Sequence, residues 1–256
     1  MTLMPLFVEF IGPSGVGKST LLRQLLRSDR DRSFFSLEKA FLVSRLKLLP
    51  SRLPNSFFYN RTLRKIGDIA THREFERVIR NKSLWESAST PAYIYFLNYA
   101  LETTFSSERD IALKLDIAIF LKKLISQYIS IESRFNSDKP ILVDEGLLMN
   151  IRGIENISLE KMSDFNIVLP RIVINCTSNP EVVMERYMKR AAEAGKKISV
   201  QEAKTAFEVT QERSIRILTK VQMQSISTIE FDLTNVTHTK IKNLQEKILK
   251  KSETFR

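Results

Sequence analysis

Residues 5–22 read PLFVEFIGPSGVGKSTLL, and this stretch decides how the rest of the chain is interpreted. An apolar run leads into a glycine-rich turn, and the turn opens onto residues that favour a helix. The turn fits the pattern G-x-x-x-x-G-K-[ST] at Gly12, Gly17, Lys18 and Ser19, with Gly15 as an additional glycine. Three of the seven glycines in the chain lie in this loop, which indicates a requirement of the backbone rather than chance.

A loop of this kind is suited to holding phosphate. Glycines allow positive φ values and the close approach by which successive backbone N–H groups surround a phosphate. The helix from Lys18 to about Ser28 adds the partial positive charge of its N-terminus. We expect Lys18 to bridge the β- and γ-phosphates of ATP, and Ser19 to give one oxygen ligand to Mg²⁺. The predicted nucleotide-binding residues of the loop are Gly12, Pro13, Ser14, Gly15, Val16, Gly17, Lys18, Ser19 and Thr20.

The composition of the 256 residues is typical of a soluble globular protein, with 43% hydrophobic and 27% charged residues. We expect one domain over 1–256, and a cytoplasmic one, because no apolar run is long enough for a membrane span and no cleavable leader is evident. The single cysteine excludes an internal disulfide, and two histidines leave no zinc site. The net charge of +11 fits an enzyme that handles polyphosphates, and it also fits a protein that binds nucleic acid or an anionic surface.

The chain divides into a phosphate-loop core at 1–39, a helical insertion at 40–135 and a C-terminal part at 136–256. The first strand, about Leu6–Ile11, is apolar enough to be covered on both faces, although Glu9 interrupts it for no evident reason. A weaker signal predicts a second strand over about 33–37.

Helical periodicity dominates the insertion, which we expect to form the wall of an acceptor pocket. The predicted helices are Ala40–Leu49, Thr62–Lys82, Pro91–Phe105 and Ile111–Arg134. The last of them is expected to pack through Leu113, Ile117, Phe120, Leu121, Leu124 and Tyr128. Basic residues in 61–82 fit a solvated face better than a contact with an anionic acceptor or nucleic acid.

Residues 140–146, PILVDEG, combine an apolar strand with an acidic end, as in a Walker B element. An aspartate at the carboxyl end of a strand beside the phosphate-loop strand lies near the phosphates. We therefore expect Asp144 to hold Mg²⁺ and Asp144 or Glu145 to act as the base. Which of the two carboxylates is the base is left open.

The next segments predict a strand over Arg171–Cys176, a helix that begins at Pro180 and a capping box at Ser199 that opens a further helix to about Met223. The first of these helices carries Arg186 and Arg190 one turn apart. A basic helix, a short break and a second helix form a candidate lid, on which these arginines would stabilise a transferring phosphoryl group.

The final strand is predicted at about Ile226–Phe231, and an exposed helix at 238–250 follows it. Asn235 lies in the loop after this strand, where an adenine base could bind.

The order of these motifs resembles that of the P-loop small-molecule kinases of the thymidylate kinase and deoxynucleoside kinase type. The likeness rests on GPSGVGKST, then ILVDEG, then PRIVINCTSNPEVVMERYMKR, then ISTIEFDLTN, and it spans most of the chain as architecture. The resemblance implies a three-layer P-loop NTPase sandwich, with about five parallel strands, the phosphate-loop strand central and helices on both faces. One departure is that Asp144-Glu145 stands where the family has an acid followed by arginine, which leaves the acceptor unspecified.

The leading hypothesis is therefore a kinase that uses ATP and Mg²⁺ to phosphorylate a small molecule such as a nucleoside, a nucleotide or a sugar. The alternative is an ATPase or nucleotide-dependent switch that acts on a macromolecule, which the Asp-Glu pair and the basic charge would suit. A binding protein with a degenerate site is disfavoured because Lys18 and Ser19 are both present. The oligomeric state, including a homodimer, and the choice between ATP and GTP are left open.

Overall fold

The structure, a computed structural model, describes residues 5–46, 90–107, 110–135, 137–144, 146–150, 169–224 and 226–255. These residues contain one five-stranded sheet in which every strand pair is parallel, in the order β2-β3-β1-β4-β5. The strands are β1 Phe7–Ile11, β2 Phe35–Ser36, β3 Ile141–Val143, β4 Ile172–Thr177 and β5 Ser227–Asp232. The predicted α/β class, with five parallel strands and β1 in the centre, is confirmed.

The parallel register brings several strand ends to one edge of the sheet. Glu9 of β1 is in register with Val143 on one side and with Val173 on the other. Thr177 of β4 is in turn in register with Asp232 of β5. The glycine loop after β1, Asp144 after β3 and the loop after β5 therefore leave the sheet at the same edge, where ligands bind in open α/β sheets.

Eight helices occur in the part of the chain that the structure describes. They are α1 Lys18–Ser28, α2 Leu37–Leu46, α3 Thr90–Phe105, α4 Ile111–Arg134, α5 Leu147–Asn150, α6 Pro180–Glu193, α7 Val200–Met223 and α8 His238–Glu253. None of these described helices is long and apolar enough to cross a membrane.

Helices cover both faces of the sheet. Alternate residues of β1 point to opposite faces, so this strand contributes side chains to two cores. Val8 and Phe10 pack into a core with α1 and α8, whereas Phe7 and Ile11 pack into a second core with α2, α3 and α4. All four side chains are buried, as expected for a central parallel strand. Glu9 shares the face of Phe7 and Ile11.

The predicted elements differ from the structure in a few places. Helix α4 has the predicted bounds, but Leu113 in its first turn is 45% exposed and does not belong to the core. Helix α8 was expected to be exposed, yet one of its faces is buried in the core through Ile241, Leu244 and Ile248. The predicted helix over 62–82 lies outside the described residues.

Candidate functional site

The loop between β1 and α1 has a backbone that glycine allows and other residues resist. The φ angle is +141° at Gly12 and +115° at Gly17, both in the left-handed region. Gly12 is also confined by packing, since a Cβ atom there would overlap the carbonyl oxygen of Cys176 in β4. Two physical requirements therefore explain the glycine at position 12: the conformation of the loop and its contact with β4.

The loop ends at the N-terminus of α1. Gly17 is the N-cap residue of this helix, no side chain caps the helix, and its first turn contains no acidic residue. No acidic side chain in the first turn of α1 therefore neutralises the positive end of the helix dipole. The Lys18 side chain folds back over the loop, and its Nζ donates to the carbonyl oxygen of Gly12 at 2.9 Å and to that of Pro13 at 3.1 Å.

Helix α6 packs directly on the loop. The carbonyl oxygen of Val183 lies 3.1 Å from the position of a Cβ atom on Gly15, so a side chain there would push the helix away. The guanidinium of Arg186 donates to the carbonyl oxygen of Val16 at 3.0 Å. The structure thus brings the guanidinium of Arg186 onto the loop. Arg186 and Arg190, one turn later, are both exposed residues. Movement of α6 as a lid stays a prediction.

Asp144 leaves β3 beside the loop, and its Oδ1 atom is buried without a hydrogen-bond partner among the described residues. Such an atom is costly unless a ligand satisfies it. A carboxylate and a hydroxyl are oxygen ligands of the kind that Mg²⁺ prefers, so Asp144 and Ser19 fit the expected cation. No larger cluster of acidic, histidine or cysteine side chains suited to a metal occurs in the described part of the chain.

The pKa of the buried Cys176 thiol depends on the charges around it. Burial raises its pKa to about 12, the positive charge of Lys18 opposes this rise, and the negative charge of Asp144 adds to it. Lys18 and Asp144 therefore both lie close enough to the end of β4 to act on the same atom. Cys176 itself stays a neutral thiol at physiological pH and is no candidate nucleophile.

The other predicted site residues fall into three groups. Pro13, Ser14, Ser19 and Thr20 lie in the loop or the first turn of α1, as predicted, with Ser19 and Thr20 exposed. Asn235 is exposed in the turn after β5, and Leu233 of the same turn reaches to 3.8 Å from the position of a Cβ atom on Gly17. Glu145 and the basic stretch 61–82 lie outside the described residues, so their roles stay predictions.

Glu9, which the sequence left unexplained, is fully buried and binds the backbone of α5. Its Oε2 accepts from the N–H of Leu148 at 3.2 Å, and its Oε1 accepts from the N–H of Met149 at 3.0 Å. A Cβ atom on Gly146 would overlap this carboxylate. Burial raises the pKa of Glu9 to about 7, and the N–H groups of α5 together with the positive charge of Arg213 limit the rise.

Helices α4, α5 and α7 border a cleft of about 290 Å³. It is lined by Leu113, Asp116, Ile117, Phe120, Met149, Asn150 and Arg213. The Arg213 guanidinium donates to the carbonyl oxygen of Met149 at 3.0 Å. The cleft has apolar walls with a few polar groups, which is typical of small-molecule sites.

Sequence reasoning missed four residues of this region: Glu9, Gly146, Arg213 and Leu233. Glu9 carried a usable signal, because a charged residue in the middle of an apolar central strand must find buried partners. Arg213 and Leu233 carried none, since an arginine on a long helix and a leucine after a strand are ordinary at those places.

A scan against known protein families and a search of curated proteins both find no match for this chain.

We predict that Gly12→Ala destabilises the fold far more than Gly195→Ala. Both glycines have a positive φ, but the added methyl group meets the Cys176 carbonyl at Gly12, whereas no atom lies within 4 Å of the Cβ position at Gly195. Gly195→Ala should cost about 1 kcal/mol from the backbone alone, and Gly12→Ala several times as much. Urea unfolding measures the difference, and equal losses would contradict the tight contact.

We also predict a pH-dependent stability that Glu9→Gln removes. The carboxyl group of Glu9 is protonated in both states below its ordinary value of 4.5, and its contribution is lost as the pH rises through about 7. The loss approaches about 3 kcal/mol. Of the neighbouring groups, Arg213 lowers this pKa, and Tyr128 stays neutral because burial raises its own pKa well above 10.

The check is the free energy of unfolding of wild type and Glu9→Gln between pH 5 and pH 8. The wild-type value should fall relative to that of the variant across this window. Parallel pH profiles would show that the buried carboxyl group does not titrate there.

Proposed function

We propose that the protein is a phosphotransferase that moves the γ-phosphoryl group of ATP, bound with Mg²⁺, to a small-molecule acceptor. The observation that carries the proposal is the meeting of three groups at one edge of the sheet. These are a glycine loop that opens a helix, the Lys18 ammonium folded over that loop, and the buried, unpartnered Oδ1 of Asp144 on the neighbouring strand. The resemblance to thymidylate kinases and deoxynucleoside kinases supports the proposal, because the central β1 and the helices on both faces agree with what it implies.

The loop and α1 would bind the donor. Backbone N–H groups of the loop and the N-terminus of α1 provide a positive environment for the β- and γ-phosphates. Lys18 would exchange its two carbonyl partners for phosphate oxygens, and Arg186 is held at the loop where charge develops during transfer. Ser19 and Asp144 would hold Mg²⁺, which neutralises phosphate charge when bound.

The transfer itself needs an acceptor oxygen in line with the γ-phosphorus. The acceptor oxygen forms the new bond to phosphorus, the bond to the oxygen bridging the β- and γ-phosphates breaks, and ADP leaves with the bridging oxygen. The acceptor proton would pass to a carboxylate, Asp144 or Glu145. The cleft between α4, α5 and α7 is the described space that could hold the acceptor, in keeping with an insertion that forms a pocket wall.

A second candidate is an ATPase or switch that acts on a macromolecule. The net charge of +11 favours it, as does the exposed basic group Lys189, Arg190, Lys196 and Lys197 on and just after α6. Steeply salt-dependent binding to DNA, RNA or anionic vesicles, with turnover stimulated by the same partner, would favour this candidate.

The experiment that separates the two is a screen of ADP formation across nucleosides, nucleotides, sugars and antibiotics, followed by ³¹P NMR of the product. A phosphotransferase should form ADP only in the presence of a particular acceptor, which becomes phosphorylated. Rapid ADP release from ATP and water alone would contradict the kinase and favour the ATPase.

We predict that Lys18→Ala lowers Mg·ATP turnover at least about 100-fold, because it removes a cation from the transferring phosphoryl group. Lys242→Ala, which removes an exposed cation from α8, is the matched control and should leave turnover unchanged. Initial rates of ADP formation measure both variants. Similar rates for Lys18→Ala and wild type would remove Lys18 from the reaction.

We further predict that Arg186→Ala reduces the rate of transfer by one to two orders of magnitude, whereas Arg190→Ala has a smaller effect. Only the first of these guanidinium groups contacts the glycine loop among the described residues. Single-turnover rates at saturating ATP separate transfer from binding. A larger loss for Arg190→Ala would mean that α6 turns or closes when ATP binds.

A further inference from the structure

The short segment 146–150, here named the α5 turn, is held by two side chains from other elements, Glu9 of β1 and Arg213 of α7. The N–H groups of Leu148 and Met149 donate to the two carboxylate oxygens of Glu9. The carbonyl oxygen of Met149 accepts from the Arg213 guanidinium at 3.0 Å. A helix of four residues has too few internal hydrogen bonds to fix its own place, so these contacts, together with the burial of Leu147 and Leu148 in the core, determine where it lies.

The α5 turn directly follows the predicted magnesium ligand. Asp144 lies two residues before Gly146, and two residues of chain span at most about 7 Å, so Asp144 stays close to the turn and a large displacement of the turn must move it. Glu9 belongs to β1, and the same strand leads into the glycine loop three residues later at Gly12. One buried carboxylate therefore links the strand that carries the loop to the segment that carries Asp144.

We propose that Glu9 is a positioning residue that holds Asp144 at its working distance from the glycine loop through the α5 turn. The inference rests on the proposed function, since it assigns Glu9 to the metal side of the same site. Glu9 touches neither nucleotide nor metal in this proposal. Its effect passes through two backbone hydrogen bonds.

The contact is made best by a carboxylate, the form that Glu9 takes above its pKa of about 7. Two N–H donors point at the side chain of residue 9, and a carboxylate offers an acceptor oxygen to each. Glutamine offers one oxygen and would set its NH₂ group against the other N–H. An aliphatic side chain would leave both donors buried and unpaired, which is a larger cost. Gly146 belongs to the same arrangement, because a side chain there would overlap the carboxylate.

The α5 turn also connects the metal side to the cleft. Met149 and Asn150 line the cleft, as does Arg213. The Asn150 side chain donates to the carbonyl oxygen of Gly146 at 2.9 Å, which closes the turn on itself. Displacement of the turn would therefore move one wall of the cleft together with Asp144.

The test is the affinity for ATP, measured by calorimetry with Mg²⁺ and again with EDTA, in wild type, Glu9→Ala, Glu9→Gln and Asp144→Asn. The ratio of the two affinities is the magnesium gain. Loss of a residue that orients a metal ligand typically costs about 10- to 100-fold in metal affinity. We expect Glu9→Ala to lose the magnesium gain to the same extent as Asp144→Asn, and Glu9→Gln to lose part of it. Affinity in EDTA should change little, because the glycine loop is untouched.

A purely structural role is separated by a matched control. Val8→Ala removes buried atoms from the same strand on the opposite face, so it destabilises β1 without touching the α5 turn. All variants are compared at a temperature at which circular dichroism shows them folded. Retention of the full magnesium gain in Glu9→Ala, or an equal loss in Val8→Ala, would overturn the proposal.

Gly146→Ala keeps the proposal testable if Glu9→Ala does not fold. It leaves the carboxylate in place but forces the turn away from it, so the magnesium gain should fall at least about tenfold while binding in EDTA persists. An unchanged gain would overturn the proposal. If wild type binds no ATP under either condition, the proposed function fails first, and the role of Glu9 fails with it.

Discussion

The contact of the glycine loop with its neighbours is the constraint on which the rest of the site depends. At Gly12 the backbone passes so close to the Cys176 carbonyl that no side chain fits, and at Gly15 the carbonyl oxygen of Val183 in α6 lies 3.1 Å from the Cβ position, a tight but milder contact. Both neighbours follow from the parallel sheet, because β4 lies beside β1 and α6 begins after β4. The loop is thus held between a strand end and a helix.

Some parts of the fold and site could be predicted from the sequence alone. Helix α4 has the predicted bounds, and the capping box at Ser199 forms with its side-chain contacts to Glu202. Their determinants are local, so a short window of sequence contains them. The glycine loop is local only in part: three glycines allow its positive φ angles, which the sequence shows, but its contacts with Cys176 and Val183 come from the tertiary fold.

What could not be predicted depends on partners that are distant along the chain. Glu9 binds N–H groups about 140 residues later, and Arg213 binds a carbonyl 64 residues earlier. No periodicity or spacing in the sequence connects such pairs. The packing predicted for Leu113 is wrong for a related reason: its helical spacing is correct, but burial depends on what packs against that turn of α4, and Leu113 is 45% exposed.

The two halves of the site therefore differ in the kind of atom that forms them. The proposed donor side consists mostly of backbone atoms, whose arrangement a few glycines allow, so one short stretch of sequence was enough to predict it. The cleft consists of side chains from three helices that only the tertiary fold brings together. Backbone amides recognise any phosphate, whereas side chains distinguish one small molecule from another. If the cleft holds the acceptor as proposed, the packing of α4, α5 and α7 determines which acceptor fits, and the α5 turn joins that packing to the strand that carries the glycine loop.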